Sequence, residues 1–503
     1  MTWAELHGAL RGRGLIRADD ALRAEASVGV VSGIAYDSRT VTPGAVFVAL
    51  KGQHADGTAF AKQAIGRGAA AIVSEQPAPP EVRVPWAIVE DARRALAVLA
   101  AAFYREPSGE MRVVGITGTN GKTTTAYLVA ALFEAAGVQC GLLGTVGYRI
   151  GPGEGGTREA ARTTPEAPDL QALLREMVDR GCGACAMEVS SHALSLHRVD
   201  TMQFAAGVFT NLTRDHLDFH ADMDDYFRAK RKLFEMLPRD APSVINVDDP
   251  RGASLVDAGG KPLTYAINRP ADVTPGQLSY SLQGLDFEVR TPAGAVRVRS
   301  KLVGRPNVYN ILAAVATAVA LALPIDAIER GLQSLDRVPG RFQVVSSAGD
   351  RVTVVVDYAH TDDALRNLLE TARPLATGRL ITVFGCGGDR DRTKRPLMGA
   401  VASRLSDLIV ITSDNPRSED PGRIIEEVRR GITADTVREG TPRPLAIADR
   451  RDAIVKAIEL ARPGDVVLIA GKGHEKYQAI GNRVLPFDDV AVAREALGRR
   501  VVS

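Results

Sequence analysis

One junction constrains this chain more than any other: an apolar strand-like run (Val113 to Thr117), a glycine-rich turn, and a helix-like run (Thr125 to Ala136) follow one another without interruption. The turn reads Gly118-Thr119-Asn120-Gly121-Lys122-Thr123-Thr124. Glycines let a backbone curl until several amide N–H groups and a helix N-terminus face one anion, a lysine neutralises the outer phosphates, and a threonine hydroxyl serves Mg²⁺. Lys122 and Thr123 stand at those positions, so the turn predicts a phosphate-binding loop with ATP as its ligand. The general template carries a glycine five residues before Gly121; Ile116 stands there, and the turn glycine comes later, at Gly118. This shorter loop argues against an ordinary P-loop kinase. A turn that binds nothing would need Gly, Lys and both Thr to fall in place by coincidence.

A chain of 503 residues is too long for one hydrophobic core and predicts about three domains. With 62 basic against 60 acidic side chains and 45% hydrophobic residues, it has the composition of a soluble globular protein with no bias toward nucleic acid or membrane. Small-molecule substrates fit that balance. Met1 to Gly14 has no apolar signal core, and the longest nearly apolar run, Ile311 to Leu323, is too short to span a bilayer. A cytoplasmic, monomeric enzyme is expected. Four cysteines cannot make a disulfide framework. Cys182 and Cys185 form one C-x-x-C, but it lacks two further metal ligands and precedes the strand-like Ala186 to Val189 instead of opening a helix, so it reads as structural.

The pattern divides the chain into blocks 1–109, 110–338 and 339–503. The first mixes short strands (Val46 to Leu50, Ala70 to Ser74, Ala87 to Glu90) with helical stretches (Ala59 to Gly66, Arg93 to Arg105). The second begins with the loop-bearing strand and contains an alternating, β-rich insert around Leu278 to Lys301. In the third, strands at Val352 to Val356, Leu380 to Phe384, Leu408 to Thr412 and Val466 to Ala470 alternate with helical patterns. The fold class is α/β, with a central P-loop ATPase-like parallel sheet and a C-terminal Rossmann-like domain.

Open α/β sheets place ligands beyond the carboxyl ends of their strands. Glu188, in Ala186-Met187-Glu188-Val189-Ser190-Ser191-His192, lies at such an end and is a Mg²⁺ candidate. His216, after the apolar run Ala205 to Thr210, reaches a similar edge; taken alone, it reads equally as a hydrogen-bonded loop histidine. Tyr226, Lys230, Leu233 and Leu237 recur at helical spacing, so Lys230 shares the inward face while Arg228, Arg231 and Lys232 mostly point elsewhere. A buried lysine needs a partner or a changed pKa. One solution is carbamylation by CO₂, which turns the amine into an anion able to hold Mg²⁺.

These residues resemble the Mur ligase family of ATP-dependent amide-forming enzymes of peptidoglycan precursor synthesis, and the resemblance covers nearly the whole chain. Its marks are Thr117 to Thr124, Glu188-Val-Ser-Ser-His192, Asn211-Leu-Thr-Arg-Asp-His216, Gly304-Arg-Pro-Asn-Val-Tyr-Asn310 and Asp357-Tyr-Ala-His360. Asp414-Asn415-Pro416-Arg417 and Gly471-Lys-Gly-His-Glu475 look like those of the member that adds the third residue to UDP-N-acetylmuramoyl-L-alanyl-D-glutamate. The resemblance implies phosphoryl transfer from ATP to the substrate's γ-carboxylate, giving an acyl phosphate that an amine attacks, with ADP and phosphate released. It further implies that Lys122, Glu188, His216 and Lys230 are catalytic, that Thr123, Glu188, His216 and Lys230 hold metal, and that Lys230 carries a CO₂-derived carbamate. Asn307 and Asn310 match base contacts, while Arg341, Asp357 and His360 match positions that close over the nucleotide about a hinge near Val338 to Gly340.

For the nucleotide-sugar, the implied contacts are Ser38, Gln53, His54, Ala55, Thr163, Thr164, Ser190 and Arg198. Polar turns such as Asp37-Ser38-Arg39 and Gly52 to Gly57 are weak signals on their own. Arg162 and Leu196 depart from the pattern and carry no contact over, and Asp362 stands where the family commonly has Pro. For the amino acid, Arg390, Asp414, Asn415, Pro416, Arg417, Gly471 and Glu475 match. An arginine reads a carboxylate with a two-pronged hydrogen bond, so Arg417 points to meso-2,6-diaminopimelate, whose far end carries a carboxylate that lysine lacks. Arg417 could instead pair locally after the turn-forming Asp414-Asn-Pro. The alternatives are the same ligase using L-lysine or L-ornithine, folylpolyglutamate synthase, and a non-catalytic ATP-binding protein.

Overall fold

The computed structural model describes residues 1–19, 29–52, 56–152, 155–347, 349–437 and 442–501. Three sheets organise it. The first has the strand order Ile16–Asp19, Trp86–Val89, Ala71–Ser74, Val46–Val48, Ile34–Ala35, parallel throughout except at Ile16–Asp19. Helices Trp3–Gly12 and Ala92–Phe103 cover one face with Leu6, Leu10, Leu96 and Leu99. Both begin at side-chain caps, Thr2 with Glu5 in a capping box and Asp91 accepting from the amides of Arg93 and Arg94.

The central sheet runs Lys261–Tyr265, Pro242–Asn246, Phe204–Phe209, Arg112–Thr117, Ala184–Glu188, Cys140–Leu143, Tyr148–Arg149, Thr157–Arg158; its first six strands are parallel. Such strands are buried on both faces, which is why Val113 and Val114 are both fully buried and serve opposite cores. Helices Lys122–Ala135 and Arg305–Ala320 pack on one face, Ala167–Asp179 and Met223–Glu235 on the other. Register places Glu188 beside Ile116 and Phe209 beside Thr117, so the segments that follow three neighbouring strands leave the sheet side by side.

The β-rich insert is a separate antiparallel sheet formed by Thr274–Pro275, Ser279–Ser281, Gly284–Thr291 and Gly294–Ser300. Its buried face of Leu285, Phe287, Val289, Val296 and Val298 joins the central core, which explains the alternation visible in the sequence.

The last sheet runs Gln343–Val344, Thr353–Asp357, Val466–Ala470, Leu380–Phe384, Leu408–Ile411, Leu445–Ala446, with only the first strand antiparallel. Helices Asp362–Ala372, Lys394–Leu405 and Pro421–Arg429 cover one face, and Arg450–Leu460 and Asp489–Val501 the other, so the sheet is doubly wound.

Two local expectations shift. The loop helix starts at Lys122, because Gly121 in the left-handed region (φ +86°) lets helical dihedrals begin directly after it. Cys185 lies inside its strand, Ala184–Glu188, where burial pushes its thiol well up; all four cysteines are free and buried. The apolar run from Ile311 lies on the helix Arg305–Ala320, and among the described residues no helix is long and apolar enough to cross a membrane.

Candidate active site

The glycine loop is built by close approach. A Cβ on Gly118 (φ +145°) would lie 1.9 Å from Thr210 Oγ1, and one on Gly121 would lie 2.3 Å from Asn310 Oδ1. Glycine is therefore required twice, for backbone conformation and for space. The amide of Thr119 donates to the Asn211 carbonyl (2.9 Å), and that of Asn120 to Asn211 Oδ1 (2.9 Å). Thr123 and Thr124 are buried in the first helical turn. Lys122 Nζ donates to the carbonyls of Gly118 (2.9 Å) and Thr119 (2.8 Å), and burial lowers its pKa.

Beside the loop, Glu188 is 1% exposed and accepts from the Thr145 amide (2.9 Å) and hydroxyl (3.1 Å). Lys230 is also 1% exposed; its Nζ donates to the Gly118 carbonyl (2.8 Å) and lies 4.3 Å above the Tyr226 ring. Among the described residues it makes no ion pair, and burial, reinforced by Lys122, drives its pKa well below the lysine range. Its helix, Met223–Glu235, buries Tyr226, Lys230 and Leu233 as the spacing predicts, while Arg228 is exposed; Leu237 is buried just past the helix end. His216, in the left-handed region (φ +56°), packs edge-on against His192 with ring centroids 4.9 Å apart. Desolvation brings His216 down to about 3 and His192 to about 4, so both rings are neutral at ordinary pH and have lone pairs to offer.

Thr164 Oγ1 donates to the Glu188 carbonyl (2.9 Å) and accepts from the Ser190 amide (3.0 Å); Thr163 shares a hydroxyl contact with Thr145 (3.0 Å). Arg198 is buried, donates to the Thr164 carbonyl (3.1 Å) and pairs with Glu166 (2.7 Å). Thr163, Thr164, Ser190 and Arg198 therefore surround the strand end that carries Glu188. Ser38 is buried and donates to Gln63 (2.8 Å). Gln53, His54 and Ala55 lie outside the described residues.

The last block meets the loop directly. Arg341 Nη2 donates to Thr123 Oγ1 (3.0 Å), and its guanidinium lies 4.5 Å from the Tyr358 ring centre. Asn310 Nδ2 donates to Asn307 Oδ1 (3.0 Å), so the asparagine pair stands against Gly121. Asp357 accepts from the amides of Phe342 (2.6 Å) and Ala359 (2.8 Å), and burial raises its pKa. His360 Nε2 lies 3.9 Å from Asp215.

A second polar cluster occupies the carboxyl edge of the last sheet. Asp414, Asn415 and Pro416 are buried, and Asn415 Nδ2 donates to Glu475 (2.9 Å). Gly471 (φ +116°) follows the strand Val466–Ala470 directly. Arg417 (φ +50°) donates to the Gly388 carbonyl (2.7 Å), a local bond that uses one of the five N–H groups of its guanidinium. A Cβ on Gly387 would lie 3.1 Å from Arg417 Nη1 and 3.9 Å from Arg390 Cγ, so the two arginines flank one glycine; Arg390 itself is exposed.

Sequence reasoning missed several members of the site. Thr145, which holds Glu188, follows a short strand and carries no motif of its own. Asp363 accepts from Asn120 (2.9 Å) across the seam, and Arg214 donates to Asp391 (2.8 Å) and Thr393 (2.6 Å). Lys472 is fully buried between Asp414 and Glu475, and its place in Gly471-Lys-Gly-His-Glu475 was a visible signal.

Comparison with known proteins agrees with this geometry. Residues 30–104 match the model described as Mur ligase family, catalytic domain; residues 116–318 match Mur ligase middle domain; residues 340–473 match Mur ligase, glutamate ligase domain. A UDP-N-acetylmuramoyl-L-alanyl-D-glutamate–2,6-diaminopimelate ligase from Geobacter metallireducens is 49% identical over 477 residues, covering 91% of this chain and 92% of its own. A solved structure of an enzyme of that name superposes with a TM-score of 0.68 at 33% identity, covering 100% of this chain and 99% of the other. Folylpolyglutamate synthase from Mycobacterium tuberculosis, complexed with ADP and AMPPCP, covers 80% of this chain and 94% of its own with a TM-score of 0.62 at 18% identity, a likeness of fold alone.

Proposed function

We propose that this chain, which belongs to the Mur ligase family, adds meso-2,6-diaminopimelate to UDP-N-acetylmuramoyl-L-alanyl-D-glutamate with conversion of ATP to ADP and phosphate. It is an ATP-dependent ligase. The observation that carries the reading is the meeting of two strand-end edges. Arg341 on Thr123 and Asp363 on Asn120 join the nucleotide loop to the block that bears the Asp414, Asn415, Arg417 and Glu475 cluster.

A carboxylate is a poor electrophile, and its attack on a γ-phosphoryl group brings two anions together. The loop amides and Lys122 answer that repulsion by positioning and charge, which is most of what phosphoryl-transfer catalysis requires. Lys122 is already drawn over the loop carbonyls, and Arg341 reaches the same helix start from across the seam. Thr163, Thr164, Ser190 and Arg198 would hold the nucleotide-sugar so that its γ-carboxylate faces the loop. The acyl phosphate that forms there is attacked by the near-end amine of the diamino acid, whose far end Asp414, Asn415, Arg417 and Glu475 would hold, and phosphate leaves as the amide closes.

The donor set also fits a divalent cation. Thr123 in the first turn of the loop helix, Glu188 at the end of its strand and His216 in the segment after Phe204–Phe209 offer a hydroxyl, a carboxylate and a neutral imidazole. Among the described residues no group of three or more His, Cys, Asp and Glu is placed to hold a metal by itself. Lys230 fits as a fourth member: it is buried, it makes no ion pair among the described residues, and burial drives its pKa well below the lysine range, which favours the unprotonated amine that CO₂ requires. A carbamate there would supply two anionic oxygens to Mg²⁺. A cytoplasmic setting and a monomeric state complete the proposed reading.

The test is ADP release with Mg-ATP and UDP-N-acetylmuramoyl-L-alanyl-D-glutamate, comparing meso-diaminopimelate, L-lysine and L-ornithine. Turnover with meso-diaminopimelate alone is expected. Preference for lysine or ornithine would overturn the role of Arg417, and no turnover with any of them would overturn the substrate assignment.

A further inference from the structure

Lys472 is fully buried, and its ammonium has three donors. They go to Asp414 Oδ1 (3.4 Å), Asn415 Oδ1 (3.0 Å) and Glu475 Oε2 (2.9 Å). All three acceptors belong to the cluster assigned above to the amino acid. The cluster is closed on itself: Asn415 Nδ2 donates to Glu475 (2.9 Å), the Ala479 amide to Asn415 Oδ1 (2.9 Å), and Gln478 Nε2 to the Asp414 carbonyl (2.7 Å). The side chains of Asp414 and Glu475 remain 10% and 18% exposed, whereas that of Lys472 is 0% exposed. The carboxylates are therefore the solvent-facing part of the cluster, and the lysine stands behind them. Arg450, paired with Asp489 (2.7 Å) deeper in the fold, donates to the carbonyls of Ser413 and Ala470, and so fixes the two strand ends without adding net charge.

We propose that Lys472 is a specificity-determining residue of the amino-acid site, acting by cancelling one of the two carboxylate charges that face the incoming diamino acid. With Lys472 present, Asp414 and Glu475 together offer one net negative charge, enough for one ammonium, while Arg417 alongside offers one positive charge for a carboxylate. That balance matches a far end that carries both an ammonium and a carboxylate. A far end that is only cationic, as in lysine, finds its attraction to the carboxylates offset by Arg417. Without Lys472 the cleft would hold one more uncompensated negative charge and would favour the cation. Buried charges this close interact strongly, so the effect is large enough to read in acceptor preference.

The assignment rests on the ligase reading above, and the experiment separates the two. In the full chain, kcat/KM is measured for meso-diaminopimelate and for L-lysine in wild type, Lys472→Gln and Glu475→Gln, with thermal melting recorded for each. Lys472→Gln is expected to raise the lysine-to-diaminopimelate ratio by roughly tenfold or more, and Glu475→Gln, which removes a negative charge instead, to lower it. Glu475→Gln carries the opposite sign, so it tests the proposal even where Lys472→Gln does not fold. A ratio that stays at the wild-type value in both variants, or moves the same way in both, would overturn the role of Lys472 alone. Wild-type protein that uses neither acceptor would overturn the ligase reading and this assignment with it.

Discussion

Lys230 is the residue whose chemistry is least like its free form. It is buried among Tyr226, Lys122 and the Gly118 carbonyl, and its pKa is driven well below the lysine range, so charging the amine there costs stability. Lys230→Met keeps length and apolar volume, so it should lower ADP release by at least about 10²-fold through loss of electrostatic stabilisation, yet leave melting temperature unchanged or raised at neutral pH. The sign of the pH dependence follows from linkage. The folded amine has a lower pKa than the unfolded lysine, whose ordinary value is about 10.4, so wild-type stability rises with pH in the window between the two. Relative to Lys230→Met, wild type should therefore gain as pH is raised from 7 toward about 10. Melting curves of both proteins in CO₂-free buffer would show it; a difference that is flat or falls with pH would mean that Lys230 is folded in its charged form. The inward position of Lys230 was legible from helical spacing alone, because Tyr226 and Leu233 mark the face. That its amine meets the Gly118 carbonyl and, among the described residues, no carboxylate was not, since those surroundings come from segments over a hundred residues away.

At the scale of elements, what can be read in the sequence is what is local. The loop, the strand that ends in Glu188 and the alternation of the insert all announce themselves, since each is a short pattern of side chains and turns. The pairing of Thr145 with Glu188, and of Arg395 with Glu419 (2.8 Å) and Glu427 (2.7 Å), is set by which elements pack together. Arg395 is fully buried at the start of helix Lys394–Leu405 and also donates to the Gly387 carbonyl (3.1 Å). It ties the segment carrying Arg390 to the segment carrying Arg417. Arg395→Met would leave Glu419 without its ion pair, while Glu427 keeps Arg392, and should cost about 1–3 kcal/mol in chemical denaturation at neutral pH. Glu419 is held down at about 2, first by its hydrogen bonds from Arg395. The stability it contributes is present above its unfolded value of about 4.3 and is lost as pH falls toward 2, so the gap between wild type and Arg395→Met should narrow in acid. A gap that stays constant with pH would assign the loss to packing. Gly121→Ala is a second test at this scale. Its φ of +86° costs an alanine about 1–2 kcal/mol, and the new Cβ displaces Asn310. KM for ATP should rise at least about tenfold, more than that for the nucleotide-sugar.

The molecule as a whole depends on a seam. Arg341 on Thr123, Asp363 on Asn120, and Asp391 and Thr393 on Arg214 all join residues beyond 340 to the segments around the nucleotide loop. The pivot we propose for these parts is Gly340 (φ +65°), which is closely packed within the last block, where a Cβ would lie 2.2 Å from the amide of His474, next to Glu475. Most of these contacts are single polar pairs with a partly exposed partner, each worth about 1 kcal/mol or less, so the seam can open at modest cost and anions bound between its sides would close it. Phosphates would neutralise Lys122 and Arg341 together, removing the repulsion between two cations that now face the same helix start. ATP and UDP-N-acetylmuramoyl-L-alanyl-D-glutamate added together should therefore reduce the radius of gyration in small-angle scattering, and either alone should do so less. Arg341→Met should weaken that compaction while leaving the melting temperature of the unliganded chain nearly unchanged, because its bond to Thr123 is part of the seam and not of a core. Scattering curves that superpose with and without both ligands would place the whole reaction within a fixed frame, and the pivot at Gly340 would then have only a packing role.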